Sequence, residues 1–239
     1  MPPLRPTRAQ PPRYFTPQSF RFLAALAKHN DRSWFLAHKQ AYIDTLREPM
    51  SRLIADLAPR LTHISSHFMA DPRPQGGSMF RIYRDVRFRR DKRPYKEWVS
   101  FKLMQERARE MDGDVPGFYL HVQPGQCFAG AGVWRPNHEH LLRIRNYLLD
   151  NPASWKAATR TLPFRRRFEM GGESLKRPPH GFDPMHELID DLKRKDFVAH
   201  CALADDALLR SDLPTLLMRN YRALAPMNDW LCGALDLDF

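Results

Sequence analysis

Eight cationic residues, Arg81, Arg84, Arg87, Arg89, Arg90, Lys92, Arg93 and Lys96, fall within sixteen positions that hold only two acids, Asp85 and Asp91. Guanidinium and ammonium groups at that density suit phosphate or carboxylate, which arginine's planar fork bonds bidentately. A solvated basic tail would not be interleaved with Phe80, Ile82, Tyr83, Val86 and Phe88. Those side chains predict a segment packed on the fold, which would hold its cations in place. In an extended conformation Phe80, Ile82, Arg84, Val86 and Phe88 share one face, and Arg81, Tyr83, Asp85 and Arg87 share the other. Asp85 would then stand between two arginines and orient them. Arg84 would fall on the apolar face, which calls for a buried pair or a bulge. One reading is a clamp for phosphate or carboxylate, with Arg81, Arg87, Lys92 and Lys96 as donors and Tyr95 as a polar aromatic wall. The other is an ion-pair network, using Asp85 and Asp91, that fastens a long loop to the core. Uncompensated positive charge favours the clamp.

A second constellation sits on a hairpin. Residues 117–123 and 126–134 alternate as strands do, and Pro124-Gly125 supplies a two-residue connection suited to a type II turn. With Gln123 opposite Gln126, Phe118, Leu120 and Val122 face Ala131, Ala129 and Cys127 toward a core. The opposite face then carries Tyr119 across from Gly130, His121 across from Phe128 and Gly117 across from Gly132. Glycine within a strand marks close approach by a ligand or by other chain. His121 can work as an acid or base near neutral pH, or donate to a phosphate. Alternatively, another segment covers the glycines and His121 is a satisfied interior group. A register slip of one residue would exchange the two faces.

The spacing in the basic segment, R-x-x-R-D-x-R-F-x-x-[DN]-K-x-x-Y, is met by Arg81, Arg84, Asp85, Arg87, Phe88, Asp91, Lys92 and Tyr95. This resembles the domain-of-unknown-function family 2461, bacterial proteins of similar length that also occur within longer fungal ones. The resemblance runs from about Tyr14 to the end, through Trp34-Phe35, the hairpin and the loop Leu175–Phe182. It implies the extent of the fold and the motif, and no particular reaction.

The elements that must position these groups read as α+β, with helical N- and C-terminal parts packed around a mostly antiparallel sheet. Thr16-Pro17 caps a helix over 17–28. A second helical period starts at Trp34, is broken or kinked at Pro49, and continues to Leu61. Residues 71–77 form a loop. Helices are expected at 138–149, 153–161, 184–195, 205–210, 213–225 and 227–235, with a strand at 197–203. Arg165, Arg166 and Arg167 read as an exposed strand face. A flexible, proline-rich lead-in over residues 1–13 precedes a single domain over 14–239.

Composition limits the function classes. The 38 Lys and Arg against 27 Asp and Glu give a net charge of +11, which favours anionic partners. No apolar run reaches the roughly 18 residues that a membrane span needs. The N-terminus lacks the apolar core of a secretion signal, and Cys127, Cys201 and Cys232 are too few and too scattered for a disulfide framework, so the cytoplasm is the expected compartment. His138 and His140 do not share a helical face, and no H-E-x-x-H or Cys/His spacing occurs, so no metal is expected. Gly130-Ala-Gly132 lacks the dinucleotide context, and phosphate-loop and nucleophile-elbow motifs are absent, so no cofactor is expected. The leading expectation is an anionic small molecule bound at Arg81, Arg84, Asp85, Arg87, Asp91, Lys92, Tyr95 and Lys96, with Tyr119 and His121 in the same pocket, by a binding protein or an enzyme. The alternative is a nucleic-acid-binding module that adds Arg5, Arg8 and Arg13, although no helix-turn-helix, zinc-finger or RNA-recognition signature supports it. A third reading gives the basic motif a structural role only.

Overall fold

A computed structural model describes residues 13–88 and 90–239. The lead-in expected over residues 1–13, with Arg5 and Arg8, lies outside the described residues except for Arg13. Helix α1 spans Pro17–Lys28, with proline in its first turn and the Thr16 N–H donating to Ser19 Oγ at 3.1 Å. Short helices α2 (Arg32–Ala37) and α3 (Lys39–Tyr42) follow, and Asp31 caps α2 by accepting from Trp34 N. A wide turn over Ile43–Arg47 leads into α4 (Glu48–Leu61). The disruption expected at Pro49 takes this form: the proline sits in the first turn of α4, where its missing N–H breaks no helical bond.

The sheet contains β1 (Phe68–Met69), β2 (Val99–Gln105), β3 (Gly117–Val122), β4 (Cys127–Val133), β5 (Glu169–Gly171) and β6 (Phe197–Leu203). Its order is β1-β2-β3-β4-β6-β5, antiparallel at every pairing. The fold is therefore α+β. The hairpin register is the expected one, with Tyr119 opposite Gly130 and His121 opposite Phe128. Gly125 at φ +71° closes the turn, where Gln126 N donates to Gln123 O at 2.9 Å.

Helices α5 (His138–Asp150), α6 (Pro152–Thr159), α7 (Leu162–Arg167), α8 (Ile189–Leu192), α9 (Asp205–Leu208) and α10 (Leu213–Ala234) complete the chain. Three expectations change. Arg165, Arg166 and Arg167 end helix α7 instead of forming a strand face. The helix expected over 184–195 shrinks to α8, because the Asp183 carboxylate and the His186 ring accept the Met185 and Leu188 N–H groups and hold the preceding residues in turns. Pro226 does not divide the last helix. Leu224, Met227 and Leu231 are fully buried around it, and their packing holds α10 continuous at the loss of one backbone bond.

Helix α10 lies across β4 and packs on α4, α5 and α6. It also bonds β3 directly: Tyr221 Oη donates to Tyr119 O at 3.3 Å and Asn228 Nδ2 to Gly117 O at 3.2 Å. Phe101, Leu103, Phe118, Leu120, Val122, Ala129 and Val133 fill the core beneath. No helix among the described residues is long and apolar enough to cross a membrane.

Two glycines test this geometry against each other. Gly132 has φ +122°, and a β-carbon there would meet the Phe197 carbonyl at 2.0 Å. Gly125 is left-handed too, but a β-carbon there would meet nothing within 4 Å. Gly125→Ala is expected to cost about 1 kcal/mol, and Gly132→Ala about 3 kcal/mol or more. Urea denaturation of the two variants checks this order, and equal midpoints would refute the β4–β6 packing at Gly132.

Candidate functional site

The basic segment is not an extended strand. Arg84 N donates to Pro94 O and Lys96 N to Ile82 O, both at 2.8 Å, and Tyr83 bridges Tyr95, so the segment doubles back on itself as a strap. Ile82 alone of the expected apolar face is buried, whereas Phe88 at the far end of the strap is 95% exposed. The strap is held by residues with no part in the sequence motif. The Asn30 side chain donates to Tyr95 O and accepts from Tyr95 N, each at 3.0 Å, as a neighbouring strand's backbone would. The Tyr95 ring stacks on Phe35 with centroids 4.1 Å apart and is only 2% exposed, which makes it an anchor in the core and not a pocket wall.

Internal acids pair with Arg84, Arg87 and Arg93 of the strap. Arg87 binds Asp85 through two bonds of 3.0 and 2.7 Å, holding that carboxyl down at about 2. Asp91 accepts from Arg84 at 2.8 Å and from Arg93, and lies far below the carboxylate range because those guanidinium groups and the Arg93 N–H bond it. Arg93 also pairs with Glu97. Lys92 Nζ donates to the Val86 and Arg87 carbonyls at 3.1 and 3.4 Å. Where its place in the pattern called for a buried pair or a bulge, Arg84 sits in a half-buried pair, its side chain 15% exposed and that of Asp91 38%.

What the strap presents to the rest of the molecule is its two ends. Phe80, Lys96 and the following Trp98 form one rim of a cavity of about 710 Å³ over the sheet face away from the core. The register writes the floor of this cavity. Across the strands Lys102, Tyr119, Gly130 and His200 stand in one row. Ser100, His121 and Phe128 stand in the next on one side, and Gly117, Gly132, Val198 and Gly171 in the next on the other. Trp134 and Gly172 complete the lining. Of the residues expected from the sequence, Lys96, Tyr119 and His121 meet here. Arg81, Arg84, Asp85, Arg87, Asp91, Lys92 and Tyr95 do not line the cavity. Ser100, Lys102, Trp98, Asp114 and His200 join it without having been expected, although the alternation Val99-Ser100-Phe101-Lys102-Leu103 sets Ser100 and Lys102 on one face.

Lys102 is the deepest cation. Its stem crosses Gly117, where a β-carbon would lie 2.3 Å from Lys102 Cε, and its ammonium donates to Asp114 Oδ1 at 2.5 Å and Val115 O at 2.7 Å. Burial lowers its pKa and the Asp114 carboxylate opposes that shift. Lys96 differs. It is half-buried, its pKa is lowered by burial and then by the neighbouring Arg81 charge, and no carboxylate among the described residues lies within ion-pair distance. Its ammonium instead lies 5.4 Å from the Phe80 ring centroid.

In the same cavity as Lys96 lies the hydrogen-bonded series Tyr119, His121 and Gln123. His121 Nε2 lies 3.0 Å from Gln123 Oε1, an acceptor, so Nε2 carries the proton. Nδ1 therefore accepts from the Tyr119 hydroxyl at 3.2 Å. Burial raises the Tyr119 pKa, with a Ser100 hydrogen bond opposing, and lowers that of His121, with Gln123 opposing. Both shifts keep the pair neutral at pH 7, with the Tyr119 hydroxyl donating to the imidazole. Among the described residues no cluster of His, Cys, Asp and Glu could hold a metal ion.

His121 leaves a signature in stability. Because burial holds the folded imidazole below its ordinary 6.5, the unfolded chain binds a proton that the fold refuses. That contribution is complete above 6.5 and is lost as pH falls through the folded value. His121→Gln is expected to narrow the drop in urea midpoint between about pH 7 and about pH 5, and an unchanged drop would show that the imidazole is not desolvated.

No curated protein and no solved structure matches the chain. One family model, described as "Conserved hypothetical protein (DUF2461)", matches residues 18–230, which include the strap, every strand and most of α10. With most of its length matched, the chain belongs to that family.

Proposed function

We propose that the protein binds a small organic anion in the cavity between the strap and the open sheet face, with Lys96 as the cation that receives it. The observation that carries this reading is the contrast in charge pairing. Arg84, Arg87 and Arg93 spend their charge on Asp85, Asp91 and Glu97, whereas Lys96 has no carboxylate among the described residues at ion-pair distance, and Asp114 in the cavity lining pairs with Lys102. A half-desolvated ammonium beside a second cation costs free energy, and an incoming phosphate or carboxylate relieves it. The strap's other cations then act by holding this rim in place. The Tyr119–His121 pair in the same cavity supports an acid–base step on the bound anion. The three free thiols suit a reducing cytoplasm. Nucleic-acid binding is the less favoured reading, because Arg84, Arg87 and Arg93 of the strap are already matched by acids of the chain.

A thermal-shift screen of small organic phosphates and carboxylates identifies the ligand. Lys96→Ala is expected to weaken it by about tenfold or more, while Arg87→Ala on the exposed end of the strap leaves affinity nearly unchanged. Equal losses in both variants, or binding of a single-stranded oligonucleotide that weakens steeply with salt, would refute the assignment to Lys96. Affinity should also fall with rising pH before the ordinary lysine value of 10.5 is reached, since only the ammonium form attracts the anion.

A further inference from the structure

The cavity is too large and too apolar for an anionic group alone. Its volume of about 710 Å³ equals that of roughly two dozen waters, several times what a phosphate or carboxylate fills. Its walls are rings: Phe80, Trp98, Tyr119, His121, Phe128, Trp134 and His200. Several already pair with one another. His121 stacks on Phe128 at 4.7 Å, Trp98 lies 5.5 Å from His121, and Phe128 meets His200 edge-on at 5.4 Å. Phe80 and Trp134 are 42% and 50% exposed on the rims.

The floor beside these rings is bare. In the row Lys102, Tyr119, Gly130, His200, glycine separates the two rings, and Phe128 bridges them from the adjoining row, 5.6 Å from Tyr119 and 5.4 Å from His200. His200 leans toward Gly171, where a β-carbon would lie 3.1 Å from its Nδ1. Gly132 follows on β4 and adds no side chain.

We infer that the ligand is an anion attached to a flat aromatic or heteroaromatic ring, with the ring lodged against the aromatic wall over the Gly130 and Gly132 floor and the charge directed to Lys96. The inference rests on the proposed anion site and adds the chemical class of its occupant. Lys96 lies against Phe80, and Phe80 lies 6.2 Å from Tyr119, so the cation stands on the Tyr119 side of the floor. The ring supplies the apolar contact that the walls offer, and the Tyr119 and Ser100 hydroxyls are placed to read its polar edge.

Calorimetry on the full chain separates ring from charge. Adenosine monophosphate and indole acetate are the ring-bearing anions, ribose phosphate and acetate their ringless counterparts, and adenosine and indole the uncharged rings. At least one ring-bearing anion is expected to bind roughly tenfold or more tightly than its ringless counterpart, and which one binds tells phosphate from carboxylate. The Gly130 and Gly132 amide resonances should shift with that ligand and not with its ringless counterpart, a readout that needs no variant. Phe128→Leu should shrink the ring preference. If the ringless anions bind as tightly and depend on Lys96, the anion site stands and the ring is refuted. If the uncharged rings bind as tightly and Lys96→Ala changes nothing, the anion site is refuted. Binding by none of the six overturns both, and unshifted glycine resonances overturn the placement.

Discussion

A strand sends alternate side chains to opposite faces, and everything the cavity contains follows from that parity combined with one register. The Pro124-Gly125 turn sets Gln123 opposite Gln126, and from there each core residue on β3 and β4 commits its neighbours to the other side. Phe118, Leu120 and Val122 cannot reach the core unless Tyr119 and His121 point away from it. The same rule, carried through β2 and β6, brings Lys102 and Ser100 to one flank and His200 to the other. The site therefore inherits its rigidity from hydrophobic burial beneath it, which is strong and non-directional, and its composition from hydrogen-bond pairing, which is weaker and exact in register.

The strap solves a different problem, that of holding many like charges close together. Each of Asp85 and Asp91 accepts from an arginine two residues further on, and Asp91 takes Arg84 as well, so repulsion along the segment is spent locally. Exposed pairs of this kind add little stability. Their effect is on shape, because a bidentate fork fixes direction as well as distance. The anchors that do carry free energy are buried: Ile82, the Tyr95 ring on Phe35, and the Asn30 amide that completes the Tyr95 backbone. Charge shapes the loop, and packing places it.

The features legible in the sequence were those fixed by short-range rules. Thr16-Pro17, the hairpin with its register, the strand 197–203 and the helices 17–28 and 138–149 depend on neighbours a few residues apart. Strand β2 carries an alternation over Val99–Leu103, with Val99, Phe101 and Leu103 on one face and Ser100 and Lys102 on the other, yet no strand was expected there. The strap misled because its eight cations invite a direct role, while the clamp that positions it comes from Asn30, 65 residues away from Tyr95. Pro226 misled in the opposite direction: a local rule against helix was outweighed by burial on both sides. For the site, Tyr119, His121 and Lys96 could be named singly, but that the first two belong with the last only at a strap end required the three-dimensional return of residues 94–96 onto 82–84.

The bonds from Tyr221 and Asn228 to the carbonyls of β3 bear on how the molecule comes to exist. Tyr221 lies 102 residues after the Tyr119 carbonyl it serves, and Asn228 lies 111 after that of Gly117. On a ribosome, β3 emerges long before the helix that covers its inner side, and β6, the strand that pairs with β4, also arrives late. Until those residues are translated, the hairpin has an uncovered apolar surface and an unpaired edge on β4, both open to aggregation. Assembly of the cavity floor is thus one of the last events in the biogenesis of this chain, and a pause or premature stop in its final quarter would release a nascent hairpin that other polypeptides can extend.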